Sequence, residues 1–301
     1  MLNKLLAPLD GTPLAEAGLL WAEKAAQRSG AAIHLLTVVD PSLGDVATRS
    51  KEAEAYLQSR RDHLKNKGLT VKMEVAAGEP AETILERAES VDLTVVSSGT
   101  VRWLISAVLD RVLERMTRPL VVVRASQNDP QLPPTDRILV ALDQVDYSSD
   151  ITPIVQDLAK SLSASVTLCH CVAPNVDEYG RAVPGLMGRT ADPIGQAELF
   201  ISRIAEQFES EDIKTETVVA IGDAPGQIVR TAQRTGAGLI ALTTRGRDHL
   251  DSRLVGGTAN AILHSSRLPC LLTRKVPVGA RVSGARSGYA ASDATGRGLP
   301  V

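Results

Sequence analysis

The chain has 301 residues, a formal net charge of −2 and an apolar fraction of 44%, enough for two ordinary domains with real cores. This charge gives no overall attraction to nucleic acid or to an anionic membrane, and two Trp, four Tyr and two Phe are too few for a base-stacking platform. The chain lacks a signal region, a membrane-length apolar run and a disulfide framework, which predicts a cytoplasmic protein.

The first part of the chain predicts strands that alternate with helices. Its strands are short, almost continuous apolar runs (KLLAPL, IHLLTVV, LTVVSS and LVVV), typical of parallel strands covered on both faces. Thr12 is the predicted N-cap of the first helix, Pro13 its first residue and Gly30 its end. The order is strand, helix, strand, helix, strand, helix, strand, which predicts a doubly wound parallel sheet.

The same order occurs again in the second part, because the chain contains an internal repeat. Ser148, Ser149 and Asp150 offer caps for its first helix, and Ile154, Leu158 and Leu162 follow at helical spacing. The repeated pairs are LLAPLDG with ILVALDQ, AAIHLLTVVD with ASVTLCHCVA, AGEPAETILERA with IGDAPGQIVRTA, and LERMTRPLVVVR with LHSSRLPCLLTR.

The repeat predicts two tandem domains, at residues 1–124 and 137–275. The proline-containing segment 125–136 predicts a linker, and the Gly-, Ala- and Ser-rich segment 276–301 predicts a disordered tail.

Two aspartates stand where a ligand is expected. Asp10 and Asp143 each end a first strand, and ligands of open parallel sheets bind beyond the carboxyl ends of the strands, where the strand order reverses. A carboxylate there can accept a hydrogen bond from a ring amino group or a sugar hydroxyl. Capping of the following helix is the alternative, and position alone leaves both roles open.

The stretch TTRGRDHLDSRLVGGT (243–258) follows a predicted strand and leads into a helix. Its glycines allow backbone N–H groups to approach phosphates, and a helix N-terminus adds favourable partial charge. Arg245, Arg247 and Thr258 offer further donors. The alternative is a solvated polar loop with a glycine turn.

With these residues both halves resemble the universal stress protein family, and the whole chain resembles its tandem members. The resemblance covers roughly residues 3–124 and 137–275. It implies two tandem α/β domains, each a doubly wound, five-stranded parallel sheet of the Rossmann-like, adenine nucleotide alpha hydrolase-like type. It also implies ATP binding through the family motif G-x2-G-x9-G-(S/T), with or without Mg²⁺.

The second half carries this motif with two departures. Gly246 and Gly256 match, while Thr243 stands at the first glycine position and Gly257 at the Ser/Thr position. The resemblance further implies an adenine contact by the aspartate that ends the first strand and a backbone contact by a valine after the second strand. The predicted nucleotide-binding residues are Asp143, Val172, Thr243, Arg245, Gly246, Arg247, Gly256, Gly257 and Thr258.

The first half departs much further from the motif. In SSGTVRWLISAV (97–108), Ser97 and Thr100 replace the first two glycines, Ser106 replaces the last, and the spacer between them is shorter. Trp103 lies inside this short loop. We expect no triphosphate to bind there and Asp10 to act as a cap or to persist as a relic.

No Walker motif, nucleophile elbow or other catalytic constellation occurs in the sequence. Cys169, His170 and Cys171 predict a core strand rather than a zinc site, because neighbouring side chains of a strand face opposite ways. ESEDIKTE (209–216) predicts a solvated turn before a strand.

The leading hypothesis is therefore a non-enzymatic, ATP-binding, stress-associated regulatory protein. The alternatives are an interaction module that needs no nucleotide and a weak ATPase. The halves are expected to pack as an intramolecular pseudo-dimer through PLVVVR and PCLLTR, with a further homodimer and an unidentified protein partner left open.

Overall fold

A computed structural model describes residues 1–98, 107–124, 133–143, 148–173, 192–244 and 257–274. In the first half the elements are β1 Lys4–Pro8, α1 Glu16–Ser29, β2 Ala32–Val39, α2 Val46–Asn66, β3 Val71–Ala77, α3 Pro80–Ala88, β4 Leu93–Ser98, α4 Ala107–Arg115 and β5 Leu120–Arg124. In the second half they are β6 Arg137–Leu142, α5 Ser148–Leu162, β7 Ser165–Val172, α6 Pro193–Glu209, β8 Thr215–Ile221, α7 Ala224–Thr235, β9 Leu239–Thr244, α8 Gly257–Ser265 and β10 Cys270–Arg274.

The two halves share one sheet. Its ten strands run in the order β3-β2-β1-β4-β5-β10-β9-β6-β7-β8. All strand pairs are parallel except β5 with β10, which are antiparallel and place Val122 opposite Cys270 and Leu120 opposite Leu272. The contact expected between PLVVVR and PCLLTR is thus present within one chain.

The apolar runs bury both faces of this sheet, as parallel strands require. Successive residues of a strand join opposite clusters: Leu5 lies with α1 and α5 on one face, and Leu6 lies with α3, α4 and α7 on the other. Each cluster contains residues from both halves. The two repeats therefore share their hydrophobic cores.

Reciprocal contacts join the halves beside the strands. Arg124, the last residue of β5, donates from Nη1 to the carbonyls of His264 and Ser266 at the end of α8, over 2.9 and 3.1 Å. Arg274, the last residue of β10, donates to the carbonyl of Glu114 at the end of α4. Each half thus supplies a cation to the C-terminus of a helix of the other, where the helix dipole favours positive charge.

The strands named from the sequence are confirmed, but the order of elements was incomplete. Each half has five strands and four helices among the residues that the structure describes, which confirms the five strands that the resemblance implied and adds one strand and one helix to the order predicted from the residues. Strands β3 and β8 lie at the edges of the sheet. An edge strand tolerates charged residues such as Lys72 and Glu74, so the continuous apolar signal is lost there.

The predicted start of α1 is wrong by three residues. The helix begins at Glu16, because Thr12 instead closes a turn in which Ala15 N–H donates to the Thr12 carbonyl over 3.1 Å. Its end at Gly30 is confirmed, with φ of 75° in the left-handed region. Helix α5 begins at Ser148, and Leu158 and Leu162 are buried along its length as expected.

The segment just before β6 packs tightly onto the second half. A Cβ at Gly238 would overlap the carbonyl of Pro134, so only glycine fits there. Thr135 is 5% exposed, and the first residue of β6, Arg137, donates to the Thr235 carbonyl over 2.7 Å.

Candidate functional site

The strand order creates one crevice in each half. The order reverses between β1 and β4 and again between β6 and β9, so the ligand-binding position of such sheets lies at the carboxyl ends of these pairs. Because β5 and β10 are antiparallel, the strands of the two halves run in opposite directions. The two crevices therefore open at opposite ends of the strands.

The second crevice gathers three of the predicted residues at one edge. Asp143 follows β6 and is exposed, Val172 ends β7, and Thr243 lies next to the end of β9, the last two being partly buried. Strand β6 lies between β7 and β9, and neighbouring strands are about 4.8 Å apart. The three residues therefore line a single short stretch of the sheet edge.

Helix α8 begins directly after the glycine-containing loop. Gly257 and Thr258 form its exposed first turn, where backbone N–H groups lack partners within the helix. A Cβ at Gly257 would meet no atom within 4 Å. The predicted residues Arg245, Gly246, Arg247 and Gly256 lie outside the described residues.

Thr243 belongs to a small cluster of threonines. Its Oγ1 lies 3.4 Å from the Oγ1 of Thr273, which donates to it. The neighbouring Thr244 is buried and donates to the Thr273 carbonyl over 3.3 Å. The side chain that replaces the first motif glycine therefore has a place in the sheet, beside β10.

The Val172 carbonyl is fixed by the turn after β8. Gly222 donates its N–H to this carbonyl over 3.0 Å. Gly222 has a φ of 138°, which L-residues with side chains rarely adopt. The next residue, Asp223, caps α7 by accepting from the N–H of Gly226 over 3.0 Å.

The first crevice has an aspartate and a valine at the matching positions, Asp10 and Val39, but a serine, Ser97, at the end of β4. Asp10 Oδ1 accepts from Thr12 N–H and Oγ1 over 2.9 and 2.6 Å, which closes a turn before α1 and does not cap the helix, since α1 begins at Glu16. Ser97 Oγ donates to the Ala15 carbonyl over 2.9 Å and accepts from Gly18 N–H over 2.8 Å. The end of β4 is thus tied to α1 across the crevice. Thr100, Trp103 and Ser106 lie outside the described residues.

Helix α1 approaches β4 closely at this point. A Cβ at Gly18 would lie 2.8 Å from Ser97 Oγ and 3.4 Å from the backbone of Val96. The close approach and the two hydrogen bonds of Ser97 hold α1 against the end of β4.

The side chains of Cys169, His170 and Cys171 alternate between the two faces of the sheet, as predicted. The His170 ring lies against Phe200 of α6 with centroids 5.6 Å apart, whereas Cys171 Sγ lies 3.9 Å from the Ala224 carbonyl at the start of α7. The hydrogen bond to Cys169 and partial burial raise the pKa of Cys171, which keeps this thiol protonated. Among the described residues, no three His, Cys, Asp or Glu side chains form a metal-binding group.

Sequence reasoning missed the roles of three residues. Arg124 and Arg274 hold the two halves together, and the repeat carried a signal for this, because both end matched segments. His170 was assigned to the core without a specific contact. Its Nδ1 lies 2.9 Å from the carbonyl of Leu142, the residue before Asp143.

Two parallel α/β units in tandem, each with its crevice at a reversal of strand order, define a two-domain protein of the Rossmann-like class. The model of the universal stress protein family matches residues 1–124 and 134–274. The chain belongs to this family and is a tandem member of it.

Known proteins of similar length support the tandem arrangement. A universal stress protein of Mycobacterium tuberculosis strain H37Rv is 22% identical over 295 residues, which cover 90% of this chain and 96% of that protein. Another from the same strain is 24% identical over 214 residues, or 69% of this chain and 70% of that protein. The crystal structure of a universal stress protein from Archaeoglobus fulgidus covers 90% of this chain and 98% of its own, with 19% identity and a TM-score of 0.72. This likeness shows the fold.

Helices in the described part of the chain are either too short or too polar to cross a lipid bilayer.

Proposed function

We propose that this protein binds ATP in its second half and acts, without catalysing a reaction, as a stress-associated regulator in the cytoplasm. One observation carries the proposal: Asp143, Val172 and Thr243 lie at the carboxyl ends of three adjacent strands at the reversal of strand order, and α8 begins at Gly257 after the loop that follows β9. A base can be read by the carboxylate of Asp143, and phosphates can approach the N–H groups of the first turn of α8.

The first half then has a structural or interaction role. Ser97 ties β4 to α1, and Asp10 is engaged by Thr12. Two of the positions that match the second-half site are thus engaged within the first half. If the second crevice is engaged in the same way, the whole chain would be an interaction module that needs no nucleotide.

The repeat supplies matched variants for the test. Gly256→Val introduces a branched side chain at the last motif glycine of the second half, and Ser106→Val makes a similar change at the aligned position of the first half. Titration calorimetry of the full chain with ATP, with and without Mg²⁺, should show binding to the wild type and to Ser106→Val. We expect Gly256→Val to lose it, because the added side chain blocks the close approach of phosphates.

Each alternative has its own outcome. Equal binding by all three proteins would overturn the site, and a wild type that binds no nucleotide would leave the interaction module as the function. Release of phosphate well above the buffer background, abolished by Asp143→Ala, would instead identify a weak ATPase. Because β5 and β10 already pair within the chain, any homodimer must use another surface.

A further inference from the structure

His170 is a buried imidazole at the carboxyl end of β7, next to the proposed site. It is 7% exposed, and its Nδ1 lies 2.9 Å from the carbonyl oxygen of Leu142 on the neighbouring strand β6. A carbonyl oxygen only accepts hydrogen bonds, so Nδ1 must carry the hydrogen and donate it. The geometry therefore fixes the tautomer of the ring.

A second contact fixes the orientation of the same ring. Phe200 of α6 meets it edge-on, with an interplanar angle of 70° and centroids 5.6 Å apart. Edge-to-face pairs of this kind are favourable beyond the area that they bury. His170 thus connects β7, β6 and α6 through one rigid side chain.

The hydrogen bond from His170 to Leu142 affects Asp143, the residue that is proposed to bind the base. The carbonyl of Leu142 and the N–H of Asp143 belong to one planar peptide group. Holding that carbonyl therefore sets the direction in which the Asp143 side chain leaves the end of β6. Val172 lies two residues after His170, on the same face of β7.

The first half lacks this brace. The repeat aligns Thr37 with His170 and Leu9 with Leu142. Thr37 is 8% exposed, and in the described part of the chain its Oγ1 has no hydrogen-bond partner. Its side chain is short and makes no bond to the neighbouring strand, and the carboxylate of Asp10 is held by Thr12 instead.

We propose that His170 is a positioning residue for recognition of an adenine base. Its Nδ1–H bond to Leu142 holds Asp143 where the carboxylate can accept from the 6-amino group of the base, and so favours adenine over a 6-oxo purine. This role rests on the proposed function, since it acts through Asp143 on a nucleotide bound in the second half.

ATP and inosine triphosphate are suitable probes, because they differ at position 6, which is amino in one and oxo in the other, and at N1, which accepts in adenine and donates in hypoxanthine. Calorimetry on the full chain compares the wild type with His170→Asn, whose amide can donate near the position of Nδ1, and with His170→Leu, which cannot donate. We expect His170→Leu to weaken ATP binding about tenfold and to leave inosine triphosphate binding nearly unchanged. His170→Asn should stay within about threefold of the wild type for both. His170→Phe replaces the leucine variant if the latter folds poorly.

Two further measurements separate positioning from general packing. In an Asp143→Ala background, His170→Leu should have no additional effect on ATP binding, because the acceptor through which it acts is gone. Nitrogen-15 NMR of the ligand-free protein should show His170 with its proton on Nδ1.

The outcomes also separate this role from the proposed function. A wild type that binds neither nucleotide would overturn both. Binding by the wild type with an unchanged preference in His170→Leu, or equal losses in the asparagine and leucine variants, would overturn the positioning role alone. A proton found on Nε2 would do the same.

Discussion

Removal of the Arg124 guanidinium should weaken the contact between the two halves. The Arg124→Met substitution keeps most of the apolar stem but deletes the Nη1 bonds to the carbonyls of His264 and Ser266. Hydrogen bonds from a charged donor contribute about 1.5–3 kcal/mol. Since one nitrogen serves both partly exposed carbonyls, we take about 1.5 kcal/mol for the pair and add about 0.5 kcal/mol for the charge at a helix C-terminus.

The free energy of unfolding should therefore fall by about 2 kcal/mol, which a urea titration followed by circular dichroism measures directly. With a slope of about 3 kcal/mol/M for a chain of this size, the midpoint should fall by roughly 0.7 M. Arg118→Met is the matched control, because Arg118 Nε reaches only Glu89 on the surface, over 3.2 Å. An exposed pair contributes less than about 1 kcal/mol. Equal midpoints for the two variants would refute the reasoning.

Three other changes test other parts of the structure. Burial lowers the pKa of His34 below 6.5, although the Glu74 carboxylate lies 3.0 Å away. As the pH falls below 6.5 the unfolded chain therefore takes up a proton before the folded chain does, and the protein loses stability. The melting temperature of His34→Gln should depend less on pH in that range than that of the wild type. Gly257→Ser should tighten ATP binding in calorimetry, since the space is open and a hydroxyl is gained; weaker binding would contradict this. Gly238→Ala should cost about 2 kcal/mol or more in a urea titration, because its Cβ meets the Pro134 carbonyl.

Much of the fold could be predicted, because parallel strands buried on both faces leave continuous apolar runs. LTVVSS corresponds to β4 without any shift. The edge strand β3 was absent from the order of elements, and β8 was indicated only by the turn predicted before it, since one-sided pairing removes the need for continuous apolar runs. The start of α1 was misplaced because Thr12 bonds to Asp10 in a turn before the helix instead of capping it. Local propensity does not reveal this turn.

The candidate site was predictable only in part. The repeat and the spacing of glycines indicated which half to examine, and strand order brings Asp143, Val172 and Thr243 to one edge as expected. The contact of His170 with Leu142 depends on the register of two strands that a helix separates in the chain. The bonds of Ser97 to Ala15 and Gly18 depend likewise on how a helix lies on the sheet. Neither long-range arrangement is encoded in a local pattern.

The antiparallel pairing of β5 with β10 has a consequence for how such a chain can change. In a symmetric homodimer each substitution appears twice, so a change that damages one ligand site damages both. Here the same kind of junction joins two halves that differ in sequence. A substitution such as serine for glycine in one loop therefore changes only one of the two ligand sites. The shared sheet still holds the altered half in place. Covalent linkage of the halves allows one of them to lose its crevice while the other keeps its own.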